Sequence, residues 1–248
     1  MEKTIGIKDL ITKENLIKII KELAKNKLFK NEQQLQFDLA WEIKKELDKN
    51  NLNDWTVEFE YLSATKPKCN DEKQKNIYTD LIILNKSTGE YIPIELKYKT
   101  RISYDLQGIQ VLKNQGARDL GRFDFLWDLQ RIQILKNRER EYLVNAYLQK
   151  MLNGFALILT NDSAYWEMTI KKLDKKGQNP LYRSFCIGEG QIIKANEKLN
   201  WKSGESCVNG TWREKVCPLC FDSDKSCHWE DCKNNETNIE FKCLALEI

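Results

Sequence analysis

Two long apolar runs held apart by a turn signal constrain this chain more than any other feature. Tyr78–Asn85 (YTDLIILN) and Glu90–Tyr98 (EYIPIELKY) flank the tetrapeptide KSTG, a pattern that predicts a β-hairpin. Both arms are apolar at successive positions, which places the hairpin centrally in a sheet covered on both faces. Three charged residues break the pattern: Asp80 in the first arm, Glu95 and Lys97 in the second. Strand side chains alternate faces, so Glu95, Lys97 and Lys99 share one face. Opposed residues of an antiparallel pair also share a face. A two-residue turn at Thr88-Gly89 sets Asp80 opposite Lys97, and a four-residue turn sets it opposite Glu95. Either gathers Asp80, Glu95 and Lys97 into one patch; a three-residue loop sets Asp80 opposite Leu96 and disperses it.

The flanking pattern predicts an α/β fold with a central mixed sheet between helices. Leu16, Ile19, Ile20 and Leu23 predict a helix from Thr12, as N-cap, to about Lys27. Asn31 predicts the cap of a second helix, along which Leu35, Leu39, Ile43 and Leu47 recur. Trp55–Leu62 alternates as a short strand. After the hairpin a helical region is expected from about Arg118 to Leu152, then a buried strand, FALILT. Beyond Thr160 the pattern weakens, with short strands expected near Arg183–Ile187 and Phe241–Glu247. The expected organisation is an N-terminal helix over 1–30, a core over 31–165, and a cysteine-rich C-terminal extension over 166–248 packed on that core.

Composition narrows the chemistry. The 248 residues are 41% hydrophobic and 31% charged, with no apolar run of membrane-spanning length, so no membrane partner is expected. The N-terminus lacks a signal-peptide core, and a cytoplasmic location is the expectation. His228 is the one histidine, which argues against Ser-His-Asp and Cys-His triads and His-based nuclease sites. No GxxxxGK[ST] loop is present, which argues against ATP-driven readings. A net charge of +3 and a pI near 8.3 permit nucleic-acid binding without demanding it.

Carboxylates and lysine therefore carry the candidate chemistry. Two carboxylates in contact repel unless neutralised, and a hard divalent cation neutralises them while keeping room for water and phosphate oxygens. A nearby lysine orients an attacking water and stabilises phosphate charge, giving phosphodiester hydrolysis without histidine. The competing account is an ordinary ion pair, since E-x-K triplets arise often in a charged chain.

Asp80, a turn and Glu95-Leu96-Lys97 resemble the signature of the PD-(D/E)XK nuclease superfamily, the restriction-endonuclease-like fold. Thr79 stands where that signature has proline. The superfamily's order of helix, three strands, helix, strand is similar to the order expected from Asn31 to Thr160. The resemblance implies a Mg²⁺- or Mn²⁺-dependent DNA endonuclease leaving 5′-phosphate ends, with restriction, phage defence and repair as open roles. It implies that Asp80, Glu95 and the Leu96 carbonyl hold the metal and that Lys97 positions the water. Glu32 is the matching acid from the first core helix, unless it only complements the helix dipole; Glu60 is a weaker alternative. The block LKNQGARDLGRFDFLWDLQRIQIL resembles uncharacterised prokaryotic proteins of this type. Lys99, Lys113, Asn114, Gln115, Arg118 and Arg122 are the expected contacts to phosphates or bases. Asp124, Asp128 and Arg131 have the spacing of internal ion pairs. A homodimer is compatible with this reading. The alternative is a non-catalytic nucleic-acid-binding or interaction protein on the same fold.

The cysteines raise a separate expectation. Cys217, Cys220, Cys227 and Cys232 include a CxxC pair and suit a structural Zn²⁺ loop within 207–232, with Cys207 as a spare ligand. The alternatives are unrelated reduced thiols or, less favoured, an iron–sulfur site. Cys69, Cys186 and Cys243 are expected to be packing residues.

Overall fold

The computed structural model describes residues 5–66, 75–139, 142–168, 184–201, 211, 213 and 216–248. It is an α/β protein built on a mixed eight-stranded sheet flanked by helices. Helices α1 (Ile7–Leu10), α2 (Lys13–Asn26) and α3 (Glu32–Lys49) precede strands β1 (Trp55–Lys66), β2 (Lys75–Asn85) and β3 (Glu90–Lys99). A small hairpin of β4 (Ser103–Tyr104) and β5 (Gln110–Leu112) leads to α4 (Arg118–Asn137). Then come β6 (Leu143–Val144), β7 (Lys150–Met151), β8 (Phe155–Thr160), β9 (Ile192–Ile193), β10 (Lys225–Ser226), β11 (Glu230–Lys233) and β12 (Glu240–Glu247). The sheet order is β11-β12-β8-β3-β2-β1-β6, with β7 also on β3. β3 runs parallel to β8 and β7; the other pairs are antiparallel.

Local sequence explains the elements that frame the β2–β3 hairpin. Thr12 and Asn31 cap α2 and α3 through their side chains, accepting from Asn15 N and Gln34 N. The hairpin closes through a four-residue turn. Asn85 Oδ1 accepts from Ser87 N and Thr88 N, and Gly89, at φ 71°, donates its N–H to Asn85 O. A side chain at Gly89 would also collide with Tyr147 O and Gln149. This turn selects the register that runs from Leu84↔Tyr91 to Leu81↔Ile94.

Strand alternation then divides the core. Leu81, Ile83, Ile94, Leu96, Tyr98, Phe155, Leu157 and Leu159 pack with α2 and α3 on one face. Ala156, Ile158, Leu244 and Leu246 pack with Phe123, Leu126 and Leu129 of α4 on the other. Burying each such Leu or Ile stabilises the fold by about 2 kcal/mol, so a one-residue slip of β3 would be severely penalised.

Several expectations are corrected. α4 ends at Asn137, not near Leu152, because Arg138 turns left-handed at φ 46° and the chain returns to pair β6 with β1 and β7 with β3. β1 continues past Leu62 to Lys66 through a register shift. Phe185–Ile187 is buried but forms no strand, while Arg183 lies outside the described residues. The strand expected near Phe241–Glu247 is present as β12, which joins the central sheet by pairing with β8, while β11 pairs with β12. α2 packs on these two strands, so the first helix and the last strands share one core. Among the described residues no helix is long and apolar enough to cross a membrane.

Candidate active site

The β2–β3 ladder stops at Leu81↔Ile94, and the next step brings Asp80 opposite Glu95. Beyond that point the two strands part, and carboxylates take the N–H groups of β3. Leu96 N donates to Asp80 Oδ2 at 2.7 Å, and Tyr98 N donates to Glu32 Oε2 at 2.7 Å. Glu32 reaches this split because α3 begins there, capped by Asn31. One turn on, buried Gln36 donates to Asp80 O at 2.5 Å and to Glu60 Oε1 at 3.4 Å. Glu60 falls between Phe59↔Leu81 and Tyr61↔Thr79, beside Asp80, and has φ 44°. A non-glycine residue in that region costs of order 1–3 kcal/mol and is held only by its surroundings. It reverses the alternation of β1: Val57 packs on the α3 side, Tyr61 with Ile82 and Leu84 on the opposite side.

Glu95 and Lys97 meet α4 on the opposite side. Arg131 Nη2 lies 2.6 Å from Glu95 Oε2 and 2.8 Å from Asp128 Oδ1. Lys97 Nζ lies 2.7 Å from Asp128 Oδ2, 3.9 Å from Glu32 Oε1, and donates to Leu96 O at 3.3 Å. Glu95 is only 1% exposed, and its Oε1 has no hydrogen-bond partner. Four carboxylates (Glu32, Asp80, Glu95, Asp128) thus face two cations (Lys97, Arg131), leaving two negative charges uncompensated when all are ionised.

The electrostatics follow from this crowding. Burial, reinforced by Asp128, pushes the Asp80 carboxyl up to about 6; Lys97 and the Leu96 N–H pull the other way. Burial drives Glu95 well above the ordinary carboxylate range, against the pull of Arg131, with Asp80 and Asp128 adding to the rise. Burial opposes charge on Lys97, but Asp128, Glu32 and Asp80 outweigh it and hold the ammonium above its usual range. Lys97 is therefore a fixed cation and hydrogen-bond donor, not a neutral base.

These residues fit a hard divalent cation on two counts: the orphaned Glu95 Oε1 and the two-charge deficit. Among the described residues, no three or more His, Cys, Asp or Glu side chains are arranged to hold a metal. The candidate set is accordingly two side chains, Asp80 and Glu95, with the Leu96 carbonyl; Glu32 stands beside it, Oε2 accepting from Tyr98 N and Oε1 3.9 Å from Lys97 Nζ. Sequence reasoning assigned Asp128 and Arg131 to internal pairing. They do pair with each other, but they also tie Lys97 and Glu95 to α4. Asp124, by contrast, pairs bidentately with Arg213 at 2.8 Å. Polar residues on an otherwise buried face of α4 were the available signal.

The expected nucleic-acid contacts divide. Lys113, Asn114 and Gln115 are exposed and Lys99 is half-exposed. Arg118 is exposed but paired with buried Asp162 at 2.6 Å. Arg122 is corrected: it is 2% exposed and donates to Ala164 O, so it serves the interior.

The cysteine expectation is also corrected. Cys232 lies against Cys243 on the α2–α3 side of the sheet, Sγ to Sγ 3.4 Å, whereas Cys227 packs in the core on the α4 side. The CxxC segment is docked on α4 by glutamines: Gln130 accepts from Cys220 N, while Gln133 donates to Cys220 O and accepts from Asp222 N, each at 2.9 Å. Burial pushes the thiols of Cys217 and Cys227 up, to about 11 and about 12. Cys69 and Cys207 lie outside the described residues.

Comparison of the chain with protein-family models, with curated proteins and with solved structures finds no match in any of the three.

Proposed function

We propose that the chain is a Mg²⁺- or Mn²⁺-dependent nuclease of the PD-(D/E)XK, restriction-endonuclease-like type, hydrolysing phosphodiester bonds in DNA. The observation that carries this reading is the split between β2 and β3, where Asp80 faces Glu95 beside Lys97. The succession α3-β1-β2-β3-α4-β8, with sheet order β8-β3-β2-β1, supports it by resemblance to that fold. A bound divalent cation would neutralise the carboxylate pair and polarise the phosphodiester. Asp80, Glu95 and the Leu96 carbonyl would hold it. The Lys97 ammonium would donate toward the attacking water and the phosphate oxygens and take up no proton itself, so the proton of the attacking water would pass to solvent. Asp128 keeps Lys97 charged and aimed, Arg131 holds the Glu95 carboxyl in place through Oε2, and Glu32 fixes the β3 backbone at Tyr98.

A second reading, a non-catalytic nucleic-acid-binding protein, draws on the ion pairs that tie Glu95 to Arg131 and Lys97 to Asp128. Incubating the purified protein with Mg²⁺ or Mn²⁺ and plasmid, linear, single-stranded and RNA substrates separates the two. Metal-dependent cleavage lost in Asp80→Ala and Lys97→Ala supports the nuclease. Cleavage persisting in both variants, or none under any condition, rules it out.

A further inference from the structure

We propose that the β4–β5 hairpin is a wedge for duplex DNA, its apolar tip entering between base steps while cations at its base hold the flanking phosphates. The proposal rests on the nucleic-acid reading above and adds to it a binding element and a substrate form. Leu106 is 71% exposed and Ile109 63%, with Ile102 and Tyr104 exposed beside them. Four large apolar side chains thus face solvent within one short hairpin.

The tip is shaped by hydrogen bonds and not by packing. Asp105 Oδ1 accepts from Gln107 N at 2.9 Å and Ile109 N at 2.8 Å. Asp105 N donates to Ile109 O, and Gly108, at φ 80°, donates to Asp105 O. Polar main-chain bonds shape this turn, so Leu106 and Ile109 are not needed to fold it. The base is equally fixed: Thr100 Oγ1 donates to Lys113 O at 2.6 Å, Arg101 N donates to Asn161 Oδ1 at 2.7 Å, and Leu112 is buried. The hairpin leaves β3 directly after Lys99, which shares a strand face with Glu95 and Lys97.

Charge identifies the occupant. Residues 99–118 hold Lys99, Arg101, Lys113 and Arg118 against Asp105 alone, a net +3. The whole chain is also +3, from 40 basic and 37 acidic residues, so the remaining residues balance at 36 against 36. The segment that carries this apolar tip thus holds a net positive charge as large as that of the whole chain, although Arg118 is partly answered by Asp162. A symmetric contact between two copies would set these cationic segments against each other. Aliphatic wedges beside cations suit unstacking of a duplex step, whereas unpaired bases favour aromatic platforms.

The test uses the full chain in EDTA with short duplexes carrying 2-aminopurine, read by fluorescence for unstacking and by anisotropy for binding. Wild type should raise the fluorescence on binding. The double variant Leu106→Ser/Ile109→Ser, with unchanged far-UV circular dichroism, should lose most of that rise and bind roughly 10-fold more weakly, with its salt dependence kept. Arg101→Ala/Lys113→Ala should instead lower the slope of log K against log salt by about 2. Unstacking and affinity unchanged in the double variant would overturn the wedge. So would a fall from dimer to monomer in sedimentation with duplex binding intact, or tighter binding of single strands than of duplex. Metal-dependent cleavage alongside an inert tip would sink the wedge and leave the nuclease. Tip-dependent unstacking without cleavage in any metal would do the reverse.

Discussion

In the β2–β3 hairpin, Glu95 and Lys97 join Glu32, Asp128 and Arg131 in one network of contacts from 2.6 to 3.9 Å, and Asp80 accepts from Leu96 N between them. In the segment 217–232, Cys227 and Cys232 end in cores on opposite faces of the sheet, and Cys220 is bound through its backbone to glutamines. Both stretches carried chemistry-bearing residues at suggestive spacing. The difference is the backbone between them. A hairpin with a closed turn converts residue parity into proximity, because register leaves each side chain one face and one neighbour. Loop spacing carries no such rule, and the cysteines follow burial instead.

The comparison is broken most sharply by activity. Asp80→Ala and Lys97→Ala should each lower metal-dependent cleavage by about 10²–10⁴-fold, while Cys217→Ser leaves it unchanged. The reverse result would make the cysteine segment the functional one. Next in size, Arg131→Ala removes the partner of a buried carboxylate and should cost about 3–5 kcal/mol in urea unfolding at pH 7. The loss should shrink as the pH falls, because burial holds the Glu95 carboxyl well above the ordinary carboxylate range and favours its neutral form.

The Asp80 environment predicts a pH slope in the metal-free protein. Its folded value, about 6, lies above the ordinary 3.8, so the folded state holds more protons between these values. Stability is then greatest below about pH 4 as far as this group is concerned, and falls as pH rises through 6, by about 3 kcal/mol. Asp80→Asn should flatten that slope, and added Mg²⁺ should raise the thermal midpoint more at pH 7 than at pH 5. A flat slope in wild type would remove the strained-carboxylate account of the site. The smallest effects belong to the thiols. Cys232→Ala should cost about 1–2 kcal/mol through lost packing, Cys217→Ser under about 0.5 kcal/mol, and elemental analysis should find no stoichiometric zinc.

Much of the frame was legible beforehand because its signals are local. Thr12 and Asn31 cap their helices through their own side chains, and Asn85 with Gly89 builds the turn from within five residues. The four-residue turn was one of the registers expected, and with it the approach of Asp80 to Glu95. The end of α4 was missed because a left-handed Arg138 and the pairings of β6 and β7 depend on strands far away in sequence. The kink at Glu60 was missed for the same reason: Gln36 of α3 holds its side chain.

The sequence by itself determined the hairpin and its two-sided burial, and narrowed the meeting of Asp80, Glu95 and Lys97 to a choice of register, since turn chemistry and side-chain alternation are properties of neighbouring residues. Tertiary structure alone decided that β2 and β3 part beyond Leu81, that Glu32 enters the gap, and that Asp128 and Arg131 close over Glu95 and Lys97. Those contacts require α3 and α4 to dock on opposite faces of one sheet. Docking is set by the fit of whole apolar faces, which no short stretch of chain encodes.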